Sequence, residues 1–460
     1  MEKDQQLEQE QKQDRLSSDT IMFEPPEIMI PTTENVPGTA EDLAEGSDPS
    51  TDNSGEISEE TATGSDSSKP APRYAKAPVG EEEEATIVAT PKRKKPTHWS
   101  VTWAVSKHVW RLGLGVALAM GILIMGLVGF LTVTEYTPAY AEAADRGSVN
   151  RSETITSHSL SILTLNTGYG ALGADADFYQ DGGQSVLPES AEIVEKNLEG
   201  IESILALGNA DFIFLQEVDV GSQRSYDSNQ WLKYEYDLEN YESRFALNYS
   251  CEYVPYPVRE PVGKIQSGLA TYSSFDIVSA TRYSQSNGYT WPRRVASRKP
   301  CLLVTRIPID NSEQQLVLIN VHMEDYEDEE IRKEQSRRLI ELMEAEYAKG
   351  NFVIAGGDFS QNFPECHAYE VKDEDTDLWI PGRLDRPSEG LRYVYDDDNP
   401  TCRLLNQPYD PSSADTRYYV TDGFLVSANV TVDRVETLDY EFIYSDHNPV
   451  KMNFTLHLGE

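Results

Sequence analysis

Polar residues of a few types stand at the ends of predicted strands along the second part of this 460-residue chain. Carboxylate, amide or imidazole side chains occur at six such places, namely Asn166, Gln216 with Glu217, His322, Asp358, Asp422 and the run SDHNP at 445–449. Strands of one sheet bring their ends together in space, so these side chains are expected to meet. The pattern predicts one site that is assembled from six distant segments.

The residue types favour hydrolysis of a phosphoester. Glu217, Asn166 and Asp446 offer the hard oxygen ligands that Mg²⁺ or Mn²⁺ prefers, and the sequence lacks the Cys/His cluster typical of zinc. His447 stands beside an Asp, and a further Asp to orient its ring would make it a general base for water. His322 can stabilise negative charge on a phosphoryl oxygen. Together these groups indicate metal-assisted attack of water on phosphorus.

Seven short motifs follow one another in an order that a known family shares. They are LTLNTGYG (163–170), FLQEVD (214–219), SGLATYS (267–273), INVHM (319–323), GGDFS (356–360), TDGFLVS (421–427) and SDHNPV (445–450). This set resembles the endonuclease/exonuclease/phosphatase superfamily, which includes pancreatic-type deoxyribonuclease, apurinic-site endonucleases, neutral sphingomyelinases and inositol polyphosphate 5-phosphatases. The resemblance covers residues 159–456. Within the superfamily, the chain most resembles bacterial membrane-anchored members.

The resemblance implies a role for each residue of the predicted site. Asn166 and Glu217 match the metal-site positions, with Glu217 as the main ligand, and Asp446 matches a further carboxylate near the metal. His447 matches the base. Asp422 matches the residue that holds the imidazole of this base in the correct tautomer.

Two further positions of the resemblance concern the phosphate. His322 matches the residue that contacts the scissile phosphate, and Asp358 matches the residue that positions the attacking water or the leaving group. The family pattern has Asn two positions after this Asp, where the present chain has Ser360. A serine hydroxyl has a shorter reach than an Asn amide. We therefore expect slower chemistry rather than none.

Alternating strands and helices must position these residues. One helix is predicted from Pro188 to Gly208, and a long polar helix from Asp328 to about Lys349. Strands are predicted at 160–165, 211–215, 268–272, 301–307, 316–321, 352–355, 423–427 and 450–456. The alternation indicates a layered α/β domain with mixed sheets. The resemblance implies a four-layer α/β sandwich with two packed mixed sheets.

Two segments with different compositions precede this domain. Residues 1–107 carry 22 acidic and 11 basic side chains and have little apolar periodicity, which predicts a disordered acidic tail. Residues 112–133 contain no charge over 22 positions, and a helix of this length reaches about 33 Å. We interpret this run as a transmembrane helix. A cleaved secretory signal is the alternative, since Ala139-Tyr140-Ala141 resembles a cleavage site.

Charges beside the apolar run predict its orientation. Basic residues precede it, at 92–95, 107 and 111, and acidic residues follow it. The positive-inside rule places the tail in the cytoplasm and residues 159–460, the predicted catalytic domain, outside the cell membrane, joined by a linker at 134–158. Gly113, Ala117 and Gly121 form a stripe of small residues that predicts a weak dimer contact.

The net charge of −39 restricts the substrate. Residues from 136 onward contribute −28, which disfavours long polyanions and favours a small or membrane-presented phosphoester. An extracellular nuclease remains an alternative, with a basic patch at Arg293, Arg294, Arg298 and Lys299; the same residues would also suit a solvated loop. A catalytically weak surface binding module on the same fold is a further alternative. The four cysteines, at 251, 301, 366 and 402, would form disulfides or remain buried thiols.

Overall fold

The protein is described from a computed structural model, which covers residues 98–323, 329–369 and 378–457. Residues 1–97 of the predicted disordered tail (1–107), with its basic cluster at 92–95, lie outside the described residues, whereas residues 98–107 are helical and differ from the prediction. Four helices are described, α1 (His98–Val133), α2 (Ala191–Gly208), α3 (Gln230–Asp237) and α4 (Glu329–Tyr347). The described strands are β1 (Ala141–Ala143), β2 (Asp145–Arg146), β3 (Ser159–Asn166), β4 (Phe212–Asp219), β5 (Glu242–Val254), β6 (Gly263–Ser273), β7 (Ser279–Ser284), β8 (Cys301–Pro308), β9 (Gln315–His322), β10 (Phe352–Asp358), β11 (Gln361–Asn362), β12 (Gly382–Arg383), β13 (Leu391–Val394), β14 (Cys402–Arg403), β15 (Tyr418–Tyr419), β16 (Asp422–Ser427), β17 (Val430–Thr437) and β18 (Val450–Leu456).

The described strands form two seven-stranded mixed sheets. The first sheet has the order β1-β7-β8-β9-β10-β16-β13, and the second has the order β17-β18-β3-β4-β6-β5-β2. Each contains one parallel pair, β9 with β10 and β3 with β4, and its other pairs are antiparallel. Strands β11 with β12 and β14 with β15 form two small sheets beside them.

Three apolar clusters hold these sheets and helices in four layers. The first lies between the two sheets and includes Ile162, Phe214, Leu318 and Phe424. The second joins the outer face of the second sheet to α2, and the third joins the outer face of the first sheet to α4. Alternate residues of each central strand therefore face opposite clusters, as a strand with a period of two requires. The four-layer α/β sandwich is confirmed.

Most predicted elements occur within a few residues of their expected bounds, and the exceptions have local causes. Helix α2 begins at Ala191 rather than at Pro188, after Ser190 in extended conformation. Strand β4 does not end at Leu215 but continues to Asp219, with a shift of register against β6 after Leu215. Strands β5, β7, β13 and β17 and helix α3 were not predicted, because their sequences mix polar and apolar residues without a clear period.

Residues 134–158, the predicted linker, are built into both sheets. Ala141–Ala143 pair with the edge strand β7 of the first sheet. Asp145–Arg146 pair with the edge strand β5 of the second sheet. The chain that leaves α1 therefore closes one edge of each sheet before it enters β3.

Among the described residues, α1 is the one helix that is long enough and apolar enough to cross a membrane. Its apolar part runs over Ser106–Val133, 28 residues that are almost wholly exposed. The end at Val133 coincides with the end of the predicted span, and the described helix extends further toward the N-terminus than that span. The described part of the chain contains no disulfide, and its four cysteines are buried thiols.

Candidate active site

Three predicted site residues meet at one edge of the first sheet because of its register. Strands β9 and β10 run in parallel, and their last residues, His322 and Asp358, are paired. Strand β16 runs antiparallel to β10, so its first residue, Asp422, lies opposite Asp358. Sheet pairing alone thus places an imidazole and two carboxylates on three adjacent strands.

The second sheet brings the other residues to the same place. Strand β3 ends at Asn166, and β18 pairs with it so that Val450 faces Thr164. The loop before β18 consequently lies beside Asn166, where Ser445 Oγ donates a hydrogen bond of 2.8 Å to its carbonyl oxygen. Asn166 Nδ2 donates a 3.0 Å hydrogen bond to Asp358 Oδ2, which links the two sheets across the site.

His447 and Asp422 form a buried pair. Nδ1 of His447 lies 2.8 Å from Oδ2 of Asp422, which orients the ring so that Nε2 faces Asp358 at 3.8 Å and Asp446 at 4.0 Å. Burial opposes the charged ring, but Asp422 and other negative neighbours outweigh it and raise the pKa of His447 well above its usual value. The raised pKa makes the unprotonated ring a strong proton acceptor, and this unprotonated form is the one that could act as a general base.

Glu217 reaches the site from a distortion in β4. Its backbone has a φ of 56°, a left-handed conformation that coincides with the shift of register in β4. Its Oε1 lies 3.5 Å from the Arg298 guanidinium and 3.8 Å from Nε2 of His322. Burial favours the neutral acid, yet Arg298 and Arg224 overcome it and lower the pKa of Glu217. Burial also lowers the pKa of His322, which favours the neutral ring.

Ser360 lies in the site, in a left-handed conformation with a φ of 51°. Its backbone N–H donates a 2.7 Å hydrogen bond to Oδ1 of Asp358, and its hydroxyl donates one of 3.1 Å to the carbonyl oxygen of Met323. The hydroxyl is therefore engaged with the protein and does not project as a free donor toward the cavity. The weaker phosphate contact expected from the sequence stays a prediction.

One cavity of about 650 Å³ collects these side chains. Seven of the eight predicted site residues line it, Asn166, Glu217, His322, Asp358, Ser360, Asp446 and His447. Asp422 stands behind His447 and does not line the cavity, as expected for a residue that acts through the ring. The volume falls in the range of small-ligand sites.

The match to known protein families agrees with this geometry. The model of the endonuclease/exonuclease/phosphatase family matches residues 163–447, more than half of the chain. This chain belongs to the endonuclease/exonuclease/phosphatase family. Membership supports a phosphoesterase-type hydrolase function for it.

Solved structures similar to this family member share little sequence with it. An endonuclease/exonuclease/phosphatase from Beutenbergia cavernae is 16% identical, with a TM-score of 0.46, over 65% of this chain and 72% of its own. TDP2 from Caenorhabditis elegans is 16% identical, with a TM-score of 0.39, over 65% of this chain and 74% of its own. An endonuclease/exonuclease/phosphatase family protein from Bacteroides thetaiotaomicron is 17% identical, with a TM-score of 0.42, over 65% of this chain and 98% of its own. Comparison with curated proteins gives no match.

The donor set of this family member fits a divalent cation. Burial, together with the nearby Glu217 carboxylate, raises the pKa of Asp446 to about 7, although His447 opposes the shift. The Asp446 carboxylate thus lies in the field of Glu217 without full compensation of its own charge, which a bound cation would supply. A second group of potential ligands, Asp358, Asp422 and His447, has atoms within 4.8 Å of one another. Because His447 and Asp422 are directly hydrogen bonded, we assign that group to orientation of the ring rather than to metal binding.

Two arginines complete the site beyond the residues predicted for it. Arg298 lies 3.5 Å from both Glu217 and His322, and the sequence had placed it only in a possible basic patch. Within that patch Arg294 pairs instead with Glu135, outside the catalytic residues. Arg224 binds Asp219 through two hydrogen bonds of 2.9 and 3.1 Å and lies over a neighbouring aromatic ring. Nothing in the local sequence distinguishes Arg224, which comes into place by folding of the loop after β4.

Proposed function

We propose that this chain is a membrane-anchored, divalent-metal-dependent phosphoesterase in which His447 activates water. The substrate class is a phosphodiester or phosphomonoester that is small or presented by a membrane. The proposal rests on family membership and on the arrangement of the site. One observation carries it, the pair of His447 and Asp422 at 2.8 Å, whose ring faces a cavity that also holds Glu217 and Asp446.

The residues of the chain suggest how the reaction proceeds. Nε2 of His447 takes a proton from water as the water oxygen forms a bond to phosphorus and the ester P–O bond breaks. Asp422 stabilises the imidazolium that results. The leaving oxygen takes a proton from solvent and departs as an alcohol, while the imidazolium returns its proton to solvent.

Other residues hold the phosphate during this step. The Nε2 atom of His322 and the Arg298 guanidinium are 3.5 Å apart and present donors to its non-bridging oxygens. Asp358, 3.8 Å from Nε2 of His447, is placed to orient the attacking water. Glu217, Asn166 and Asp446 would hold Mg²⁺ or Mn²⁺, which supplies Lewis-acid polarisation of the phosphoryl group when bound.

Helix α1 supplies the anchor in this proposal. The basic residues before the span and the acidic residues after it favour a cytoplasmic N-terminus and an extracellular catalytic domain at the cell membrane. The stripe of the small residues Gly113, Ala117 and Gly121 would let two copies of α1 approach closely in a weak dimer.

A substrate panel tests the proposed reaction. The full chain is assayed on phosphodiesters, phosphomonoesters and a DNA oligonucleotide, with Mg²⁺ and with EDTA. We expect turnover that EDTA abolishes, and His447→Ala should lower kcat by about 10²-fold to 10⁴-fold because the base is lost.

His158→Ala is the matched control, since His158 is exposed and does not line the cavity. It should retain the wild-type rate. Equal turnover by the wild type and the His447 variant would contradict the mechanism, and cleavage of the oligonucleotide alone would favour a nuclease.

A further inference from the structure

The catalytic cavity is lined at one side by the end of helix α1. Leu127, Val128 and Leu131 of this helix line the same cavity as His322 and His447. Leu131 is only 3% exposed, in contrast to most of the helix, and it packs in an apolar cluster with Cys251 and Val295 of the catalytic domain. The candidate membrane span therefore contributes part of the wall around the site.

The wall on this side is apolar and continues to the surface. Val254 of β5 packs in the cluster of the helix end and lines the cavity, and Val262 and Ile265, before and within β6, line it as well. Tyr256 and Trp291 also line the cavity, and these residues are 60% and 58% exposed. The lining of the cavity thus combines a part with carboxylates and imidazoles and a part with aliphatic and aromatic side chains, in which Thr290 and Arg293 are polar neighbours of Trp291.

Polar contacts fix the helix end to the domain. Trp291 Nε1 donates a 3.0 Å hydrogen bond to Oγ1 of Thr132. Glu135, directly after the helix, accepts hydrogen bonds from Arg294 at 2.9 Å and from Lys299 at 3.0 Å, and its side chain is only 5% exposed. The distance between the span and the active site is therefore set by direct contacts and not by a flexible tether.

The position of these contacts along the helix indicates where the cavity lies relative to the uncharged run. Leu127 lies six residues before Val133, which corresponds to about 9 Å of helix rise. The contact begins inside the uncharged run of 112–133. With that run in a bilayer, the apolar end of the cavity would open at the level where head groups meet hydrocarbon chains.

We propose that the apolar end of the cavity binds the hydrocarbon portion of a membrane phosphoester while its phosphate occupies the polar end. This inference rests on the proposed function and narrows its substrate to a lipid of the bilayer that holds α1. A cavity of about 650 Å³ accommodates a phosphorylated head group and the first part of a chain, and the rest of the lipid stays in the membrane.

Alkylphosphonates test the apolar end without depending on the head group. The full chain in lipid nanodiscs is titrated calorimetrically, in the presence of Mg²⁺, with methylphosphonate and with octylphosphonate, and heats from empty nanodiscs are subtracted. We expect octylphosphonate to bind at least tenfold more tightly, because only its chain can occupy the apolar end. Equal dissociation constants for the two compounds would overturn the proposal.

Two tryptophan variants locate this preference. Val128→Trp fills the apolar end and should reduce the preference for the longer chain at least fivefold. Ile124 lies one turn earlier, is exposed and does not line the cavity, so Ile124→Trp should keep the preference for the longer chain. Loss of the preference in both variants, or in neither, would contradict the assigned position of the chain.

A parallel assay separates this inference from the proposed function. Hydrolysis of bis(4-nitrophenyl) phosphate, which has no alkyl chain, reports the phosphoesterase reaction alone. If this diester is hydrolysed and the two phosphonates bind equally, only the lipid inference fails. If no hydrolysis occurs but octylphosphonate still binds more tightly, the proposed reaction fails and the apolar binding site stands.

Discussion

Single residues of this site act in pairs whose members come from different strands. Asp422 opens β16 and His447 precedes β18, and their 2.8 Å contact joins the two sheets behind the cavity. The Oδ1 atom of Asp422 is buried and has no hydrogen-bond partner within the described residues, so no donor competes there with the ring for the carboxylate charge. Asp422 therefore fixes the orientation of the ring and raises its pKa. Residues adjacent in sequence do not provide this contact, because the two partners are 25 positions apart.

The variant Asp422→Asn tests this pairing. An amide keeps the shape of the side chain but no longer stabilises the imidazolium, so kcat should fall about 10³-fold to 10⁴-fold. Phosphodiester turnover is measured on variants whose melting temperatures have been checked. Asp415→Asn, at an exposed position, should leave kcat unchanged. Full activity of Asp422→Asn would refute the role of the pair.

Ser360 provides a second prediction about a single residue. Asn is among the residues that tolerate the left-handed conformation found here, so Ser360→Asn should fold normally. Its amide should reach the phosphoryl group and raise kcat by up to about 10²-fold.

Ser360→Gly is the matched control, since glycine also accepts a positive φ and offers no donor. It should cost little activity because the serine hydroxyl is engaged with Met323. A large loss in Ser360→Gly, with no gain in Ser360→Asn, would show that the hydroxyl itself takes part in the reaction.

Elements position the site through contacts on their outer faces as well as through strand pairing. Helix α4 covers the first sheet, and Glu346 near its end accepts two hydrogen bonds from Arg306 of β8, at 2.8 and 2.9 Å. Asn351, which precedes β10, donates another to the same carboxylate. This cluster links α4 to β8 and to the start of β10, the strand that carries Asp358.

The variant Glu346→Gln should destabilise the protein in a pH-dependent manner. Burial opposes ionisation, but Arg306 and its neighbours overcome it and lower the pKa of Glu346 to about 2. The contribution of this carboxylate to stability is therefore complete above the unfolded pKa of 4.5 and is lost as the pH falls toward 2. We expect a loss of about 2 kcal/mol at pH 7, less than for a fully buried pair because Arg306 is partly exposed.

Chemical denaturation at pH 7 and at pH 3 measures this difference. The variant and the wild type should be closer in free energy of unfolding at pH 3 than at pH 7. Glu344→Gln, at an exposed position of the same helix, should have no effect at either pH. An equal loss for Glu346→Gln at both pH values would mean that packing and not charge is responsible.

The whole molecule combines an apolar helix with an acidic domain. Residues from 136 onward carry a net charge of −28, whereas the helix end is fixed to the domain by the cations Arg294 and Lys299. Such a surface repels long polyanions and anionic head groups in general. Access to the site is then expected where the surface is apolar, beside the end of α1.

The proposed orientation predicts which parts of the chain can be labelled from outside a cell. All four native cysteines are buried, so an introduced exposed cysteine should react first with a membrane-impermeant maleimide. Ser412→Cys, in an exposed loop of the domain, should be labelled in intact cells. Ser67→Cys, in the N-terminal tail, should be labelled only after permeabilisation, and the reverse pattern would overturn the orientation.

Sequence by itself determined the features that depend on near neighbours. The last strand has the predicted bounds, 450–456, and α1 ends at Val133 as predicted, because apolar runs and charged flanks are local signals. The order of seven motifs also indicated the family and the residues that line the cavity. Asn166, His322, Asp358 and Asp422 could be found in this way because each stands at a strand end that its own segment defines.

Only the tertiary structure decided the features that depend on distant contacts. Arg298 and Arg224 reach Glu217 across 81 and 7 positions of sequence, through loops whose paths no local period defines. Strand β5, with its mixed polar sequence, forms because β6 offers it a partner along most of its length. The end of α1 becomes a wall of the cavity because Glu135 and Leu131 are buried against residues more than 100 positions away. Packing between separate segments determines these features, and the spacing of residues along the chain does not predict such packing.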